Sequence, residues 1–138
     1  MIARVLHWTR FYYPQDTFQH VCRVAEYVTS NKAIPPELKE RCYLVALMHD
    51  ILEDTNFDIE DFRKHEYVRY HSEVMTEAIL QLTHNKKTET YEEYISKIPK
   101  GSIAYWVKLA DMKDHLTLTD TLTEKLKEKY LRGLAILL

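Results

Sequence analysis

Only two glycines, Gly101 and Gly133, occur in 138 residues, and the chain contains no Asn-Gly or Asp-Gly pair. Two-residue β-hairpins rely on such pairs because their central residues take positive φ. A chain without them has few ways to fold a strand tightly back on its neighbour. The prolines, Pro14, Pro35, Pro36 and Pro99, stand between segments whose apolar residues recur at helical spacing. The sequence therefore predicts an all-α fold of helices joined by short connections, a compact bundle of six or seven helices.

Phe18, Val21, Val24, Ala25 and Val28 mark one helix, with Asp16-Thr17 as its expected cap. Pro35-Pro36 opens the next, since proline suits a first helical turn. From Leu38 to about Ile51 the apolar residues are nearly continuous, which predicts a central helix buried on most sides. Asn56 to His71 reads as short helix and loop. Ser72 is the expected cap of a helix carrying Val74, Ala78, Ile79 and Leu82. Thr90 with Glu93 forms a capping-box pattern, and Thr121 with Glu124 repeats it. Between them, Pro99-Lys100-Gly101-Ser102 is a turn, followed by a helix from Ile103 to about Leu118. Leu118, Leu122, Leu126, Tyr130, Leu134 and Leu138 fall every four residues and read as a stripe that docks on the core or on a second copy, so a homo-oligomer is one expectation. No linker or repeat divides residues 1–138, which read as a single domain.

The formal charge of −2 argues against a nucleic-acid polymer or a membrane surface as partner. Cys22 and Cys42 lack metal or redox spacing and read as small hydrophobes in a reducing compartment. No apolar run approaches the ~18 residues of a membrane span, and Arg4, His7 and Arg10 interrupt the N-terminal apolar residues. A cytoplasmic protein is expected. Of the seven histidines, His7, His65, His71 and His84 lie in polar surroundings and read as solvated.

The stretch "VALMHDILEDT", residues 45–55, departs from these simple rules. One of the most apolar segments ends in a histidine and three carboxylates. On a helix His49 and Glu53 are one turn apart, as are Asp50 and Asp54. Clustered acids repel one another and are disfavoured at a helix C-terminus. A divalent cation removes the conflict, and imidazole with carboxylate suits one. His20, on an apolar helix face, and Asp111, after Val107, Leu109 and Ala110, are further candidates. Taken singly, His20 also fits a hydrogen-bonded core histidine, and Asp111 also fits an ion pair with Lys108.

The blocks "HVCRVAEYV" (residues 20–28), "LMHDILEDT" (47–55) and "VKLADMKDHL" (107–116) resemble the HD-domain metal-dependent phosphohydrolases, whose signature is H…HD…D. Within them the chain is most similar to the RelA/SpoT-type hydrolases of the alarmone ppGpp and their stand-alone small relatives. "LTHNKKTETYEEYISKI" fits the middle of that pattern through Thr83, Tyr91, Tyr94 and Ile95. The similarity runs from about Phe18 to Leu118. It implies an HD-type helical fold and one divalent metal held by His20, His49, Asp50 and Asp111. In that family the metal is typically manganese, while the donor types also suit iron, cobalt, nickel or zinc. The resemblance assigns Glu53 and Asp54 to orienting and deprotonating water and to protonating a leaving group. It implies hydrolysis of a nucleotide, with ppGpp the first candidate; a deoxynucleotidase-like hydrolase and a non-catalytic nucleotide-binding module are the alternatives.

Phosphate groups call for cations. Lys108, Arg23, Lys86, Lys87 and Arg10 are the candidates, with Tyr91 or Tyr94 lining the pocket or stacking on a base. His115 stands four residues after Asp111, where these hydrolases usually carry asparagine, and is a further candidate substrate contact.

Overall fold

In the computed structural model, residues 2–57, 60, 72–118 and 120–138 are described. They form α1 (Ile2–Tyr12), α2 (Gln15–Ser30), α3 (Pro36–Met48), the single turn α4 (Ile51–Asp54), α5 (Ser72–Gln81), α6 (Tyr91–Ser96), α7 (Ile103–Thr117) and α8 (Glu124–Leu137). Among the described residues there is no strand. The expected short helix and loop over residues 56–71, with His65 and His71, falls mostly outside them.

Helices α2, α3 and α7 pack on one another and make the centre of the fold. α1 covers α3 and α2, α5 lies on α3 and α7, and α8 closes the bundle against α6 and α7. α3 begins as the sequence predicts, with Pro35 as N-cap and Pro36 in the first turn. Its buried residues, Cys42 and Leu44 through Met48, follow one another and so point to every side. Each large apolar side chain buried there contributes roughly 1.5–3 kcal/mol relative to exposure. No helix among the described residues is long and apolar enough to cross a membrane.

Several ends differ from expectation. α2 starts at Gln15 with Pro14 as N-cap, so Asp16 and Thr17 lie inside its first turn and do not cap it. α8 is capped by Thr123, whose side chain accepts from the Leu126 N–H at 3.1 Å, and not by Thr121. Of the four-residue stripe, Leu122, Leu126, Tyr130 and Leu134 are partly buried and Leu134 packs against the core, as expected, while a drift of about 40° per step limits how long such a stripe keeps to one face. Gly133 and Leu137 are the buried residues of α8, while Leu118 and Leu138 are exposed. The Thr90–Glu93 capping box of α6 is present with both of its bonds, each 3.1 Å. Gly101 takes φ +79° in the turn before α7, a conformation glycine adopts without strain.

α3 ends before the acid-rich stretch is complete. His49 caps it in αR geometry, and Asp50 follows at φ −97°, ψ 4°. The His49 ring donates from Nδ1 to the Ala46 carbonyl at 2.6 Å, satisfying one of the last acceptors of α3. The Asp54 N–H then bonds the Asp50 carbonyl at 2.9 Å and starts the separate turn α4. The break re-aims Asp50 between two helical segments.

Candidate metal centre

Three central helices bring four distant side chains together. His20 comes from the first half of α2, His49 and Asp50 from the break after α3, and Asp111 from the middle of α7. One ligand atom from each, two imidazole nitrogens and two carboxylate oxygens, lie within 4.8 Å of one another. His20 Nε2 is 2.9 Å from Asp111 Oδ1 and 3.6 Å from Asp50 Oδ2. His49 Nε2 is 3.2 Å and 3.3 Å from the same two oxygens. His20, His49 and Asp111 are buried and Asp50 is partly so.

The histidines present Nε2 to this cluster because their Nδ1 atoms are held elsewhere. His49 Nδ1 bonds the Ala46 carbonyl. His20 Nδ1 bonds Asp114 Oδ2 at 2.6 Å. Asp114 is fully buried and also accepts from Arg23 Nε at 2.8 Å and Nη2 at 3.1 Å. An acceptor at Nδ1 fixes ring orientation and puts the shared lone pair at Nε2, as ligating histidines require.

The charges balance by proximity. Burial alone raises the Asp111 carboxyl, but Lys108, His115, His20 and His49 outweigh it and hold it well below the usual range. Lys108, buried on the same helix, pairs with Asp111 Oδ2 at 2.9 Å and lies 5.2 Å over the Tyr94 ring. Burial disfavours the charged form of His49, yet the Asp50 and Asp111 carboxylates hold its pKa at about 9. His20 is likewise raised: burial opposes the charge, and the hydrogen bond and charge of Asp111 prevail. Burial, Asp50 and Glu53 together push Asp54 up to about 6. Two imidazoles that keep their protons only because two acids face them form a donor set that fits a divalent cation, which replaces protons at the same atoms.

The other sequence candidates surround this cluster to different degrees. Glu53 is exposed, and its Oε1 accepts from the backbone N–H of His84. Asp54 is also exposed and shares with Glu53, Phe11 and Tyr12 a cleft of about 510 Å³. His115 Nε2 is 3.3 Å from Asp111 Oδ1, and the His115 ring lies 4.7 Å from that of His20 and stacks on Tyr130 at 4.8 Å. Tyr91 is half-buried, and Tyr94 is buried with its hydroxyl donating to the Leu82 carbonyl at 2.8 Å. Arg23 is engaged by Asp114, while Arg10 lies 6.0 Å over the Phe18 ring. Lys86 and Lys87 are exposed in the turn between α5 and α6. His84, expected to be solvated, instead stacks on Tyr94 at 4.8 Å and bonds the Glu89 carbonyl through Nε2. A flat neighbouring ring and a local carbonyl hold it in place, which its polar sequence context does not show.

Sequence reasoning missed Asp114, Lys129 and Tyr130. For Asp114 a signal existed: it lies three residues after Asp111 and so on the same side of α7. Tyr130 stood in the stripe expected to dock, but nothing in the sequence tied it or Lys129 to the cluster, which they reach only through the docking of α8.

Comparison with known proteins gives three results. The family described as HD domain matches residues 17–111. No curated protein sequence matches the chain. A solved metazoan structure, described as an ortholog of SpoT that hydrolyses ppGpp and plays a role in starvation responses, superposes with a TM-score of 0.73. The superposition covers 98% of this chain and 82% of that one at 20% sequence identity, a likeness of fold.

Proposed function

The chain belongs to the HD domain family, and from that premise we propose that it is a metal-dependent phosphohydrolase or pyrophosphohydrolase acting on a nucleotide, with an alarmone such as ppGpp as first candidate. The observation that carries this reading is the four-residue cluster with two further carboxylates one turn away. His20, His49, Asp50 and Asp111 are the residues that would hold the ion; manganese, the usual metal of the hydrolases the chain resembles, is the first candidate, and iron, cobalt, nickel or zinc suit the same donors. A divalent ion, when bound, supplies Lewis acidity to a phosphoryl oxygen and to water.

The remaining work falls to the chain's own groups. Glu53, anchored through one oxygen by the His84 N–H, has its second oxygen available to orient a water. Asp54, with a pKa near 6 set by partial desolvation of its carboxyl and by its acidic neighbours, is poised to take a proton from that water and return it to a leaving oxygen. Lys108 keeps Asp111 ionised and fixed. Tyr91, Arg23 and His115 line or buttress the space beside the cluster, His115 by stacking on Tyr130 with its ring tilted against that of His20.

The test is metal analysis of the purified protein, followed by a nucleotide panel assayed for phosphate and pyrophosphate release with and without Mn²⁺. Near-stoichiometric metal and Mn²⁺-dependent release from ppGpp support the reading. Release from deoxynucleotides alone moves the substrate to that class. Bound metal with no turnover on any nucleotide overturns the catalytic assignment.

A further inference from the structure

The C-terminal helix contributes a cation to the cluster's rim. α8 seats against α7 and α6 through Gly133, where an added Cβ would lie 2.7 Å from Met112 Cε and 2.8 Å from the Tyr91 hydroxyl. Lys129 is four residues earlier and so on the same face. Its ammonium lies 4.6 Å over the Tyr91 ring and 5.7 Å from that of Tyr130. Tyr130 stacks on His115, whose Nε2 is 3.3 Å from Asp111 Oδ1. An unbroken series of contacts thus runs from a candidate metal ligand to Lys129.

The surroundings of Lys129 are unfavourable for a cation. Burial, Lys86 and Lys108 all lower its pKa, against weaker opposing effects of Glu53 and Asp111. Among the described residues it makes no ion pair and donates no hydrogen bond, whereas Lys108 is already paired with Asp111. Contact with two tyrosine faces recovers some of this loss. Those faces do not require two further lysines nearby. An anion beside the Tyr91 and Tyr130 rings would give this unpaired ammonium a partner, and a lysine serves a phosphate as a point charge.

We infer that Lys129 clamps a phosphate group of the substrate other than the one attacked, and so selects molecules carrying more than one phosphate. The inference rests on the phosphohydrolase reading above and adds a residue beyond the stretch the family matches. The clamp acts on binding, not on the bond-breaking step.

The test compares wild type with Lys129→Ala, Lys129→Arg and, as a control on the same helix, the exposed Lys127→Ala. Calorimetry measures inorganic pyrophosphate affinity on Mn²⁺-saturated protein, and kinetics gives kcat/KM for the best nucleotide of the panel relative to 4-nitrophenyl phosphate. Lys129→Ala should weaken pyrophosphate about tenfold and lower the selectivity ratio about tenfold, mainly through KM. Lys129→Arg should keep most of both, and Lys127→Ala should match wild type. Undiminished pyrophosphate affinity in Lys129→Ala, or a wild type that binds no pyrophosphate, overturns the clamp. The two readings fail separately: pyrophosphate binding through Lys129 without turnover sinks only the catalysis, while turnover with affinity and selectivity intact in Lys129→Ala sinks only the clamp.

Discussion

Replacing Asp114 by asparagine separates holding a ligand from being one. Asp114 touches no other member of the four-residue cluster than His20, which it grips through Nδ1 at 2.6 Å. Asparagine keeps the shape and one acceptor but loses the charge that fixes the His20 proton and draws in Arg23 at 2.8 and 3.1 Å. Loss of such an outer partner typically costs 10–100-fold in metal affinity, or about 1.4–2.7 kcal/mol. The fold should lose less than a fully buried pair would. The Arg23 side chain is 37% exposed and can turn to water, so a loss of about 1–3 kcal/mol is expected. The assay is competition for Mn²⁺ against a chromophoric chelator at pH 7.5, with far-ultraviolet circular dichroism to verify folding. Asp111→Asn is the comparison, since it removes a ligand and should abolish measurable binding. An Asp114→Asn protein that is folded and binds Mn²⁺ within twofold of wild type would falsify the argument that this carboxylate orients His20.

Metal uptake should release protons, because His20 and His49 are raised, His49 to about 9, by the acids that face them. Affinity should therefore climb from pH 6 toward 9, and a lightly buffered titration should turn acidic; a pH-independent affinity would contradict this. In the metal-free protein the sign reverses. The His49 contribution to stability is fully present below its ordinary 6.5 and is lost as pH rises through about 9, with His20 shifted in the same direction, so the denaturation midpoint should fall across that interval. Glu53→Ala should keep its metal, measured by elemental analysis, and lose at least about 100-fold in rate. Gly133→Ala gains about 1 kcal/mol of helix propensity but forces the Tyr91 ring and the Met112 end to move, at about 1–3 kcal/mol. A melting temperature unchanged or lowered by up to a few degrees is expected, and a higher one would refute the close seat of α8.

Local signals in the sequence were readable where both partners lie within one turn. The Thr90–Glu93 box and the Pro35-Pro36 start needed nothing beyond their own neighbours. The end of α8 shows the limit. Thr121-x-x-Glu124 has the same pattern as Thr90-x-x-Glu93, yet Thr123 caps, since two hydroxyls stand within three residues and only packing of the helix against α6 and α7 selects between them. The four-residue stripe docks through its middle members: Leu122, Leu126, Tyr130 and Leu134 are partly buried, while Leu118 and Leu138 at its two ends are exposed. His84 looked solvated because the ring that covers it, Tyr94, is ten residues away along the chain.

The ligand candidates were legible for a different reason: an acid or imidazole placed among apolar residues violates burial rules and so declares itself. His20, His49, Asp50 and Asp111 all interrupt apolar stretches. Asp114 does not. Between Lys113 and His115 it resembles any solvated helical acid, and only contact with a residue 94 positions earlier makes it buried. Lys129 is hidden in the same way within "EKLKEKY". All four ligand candidates lie within residues 17–111, whereas Asp114, His115, Lys129 and Tyr130 all lie after them. What separates the two sets physically is that the first four offer ligand atoms to one cluster and the later ones do not, so their effects should be separable by mutation. Changes at the four ligands should remove metal and everything that depends on it, while changes on the late side should shift affinity, pH response or substrate choice and leave an ion in place.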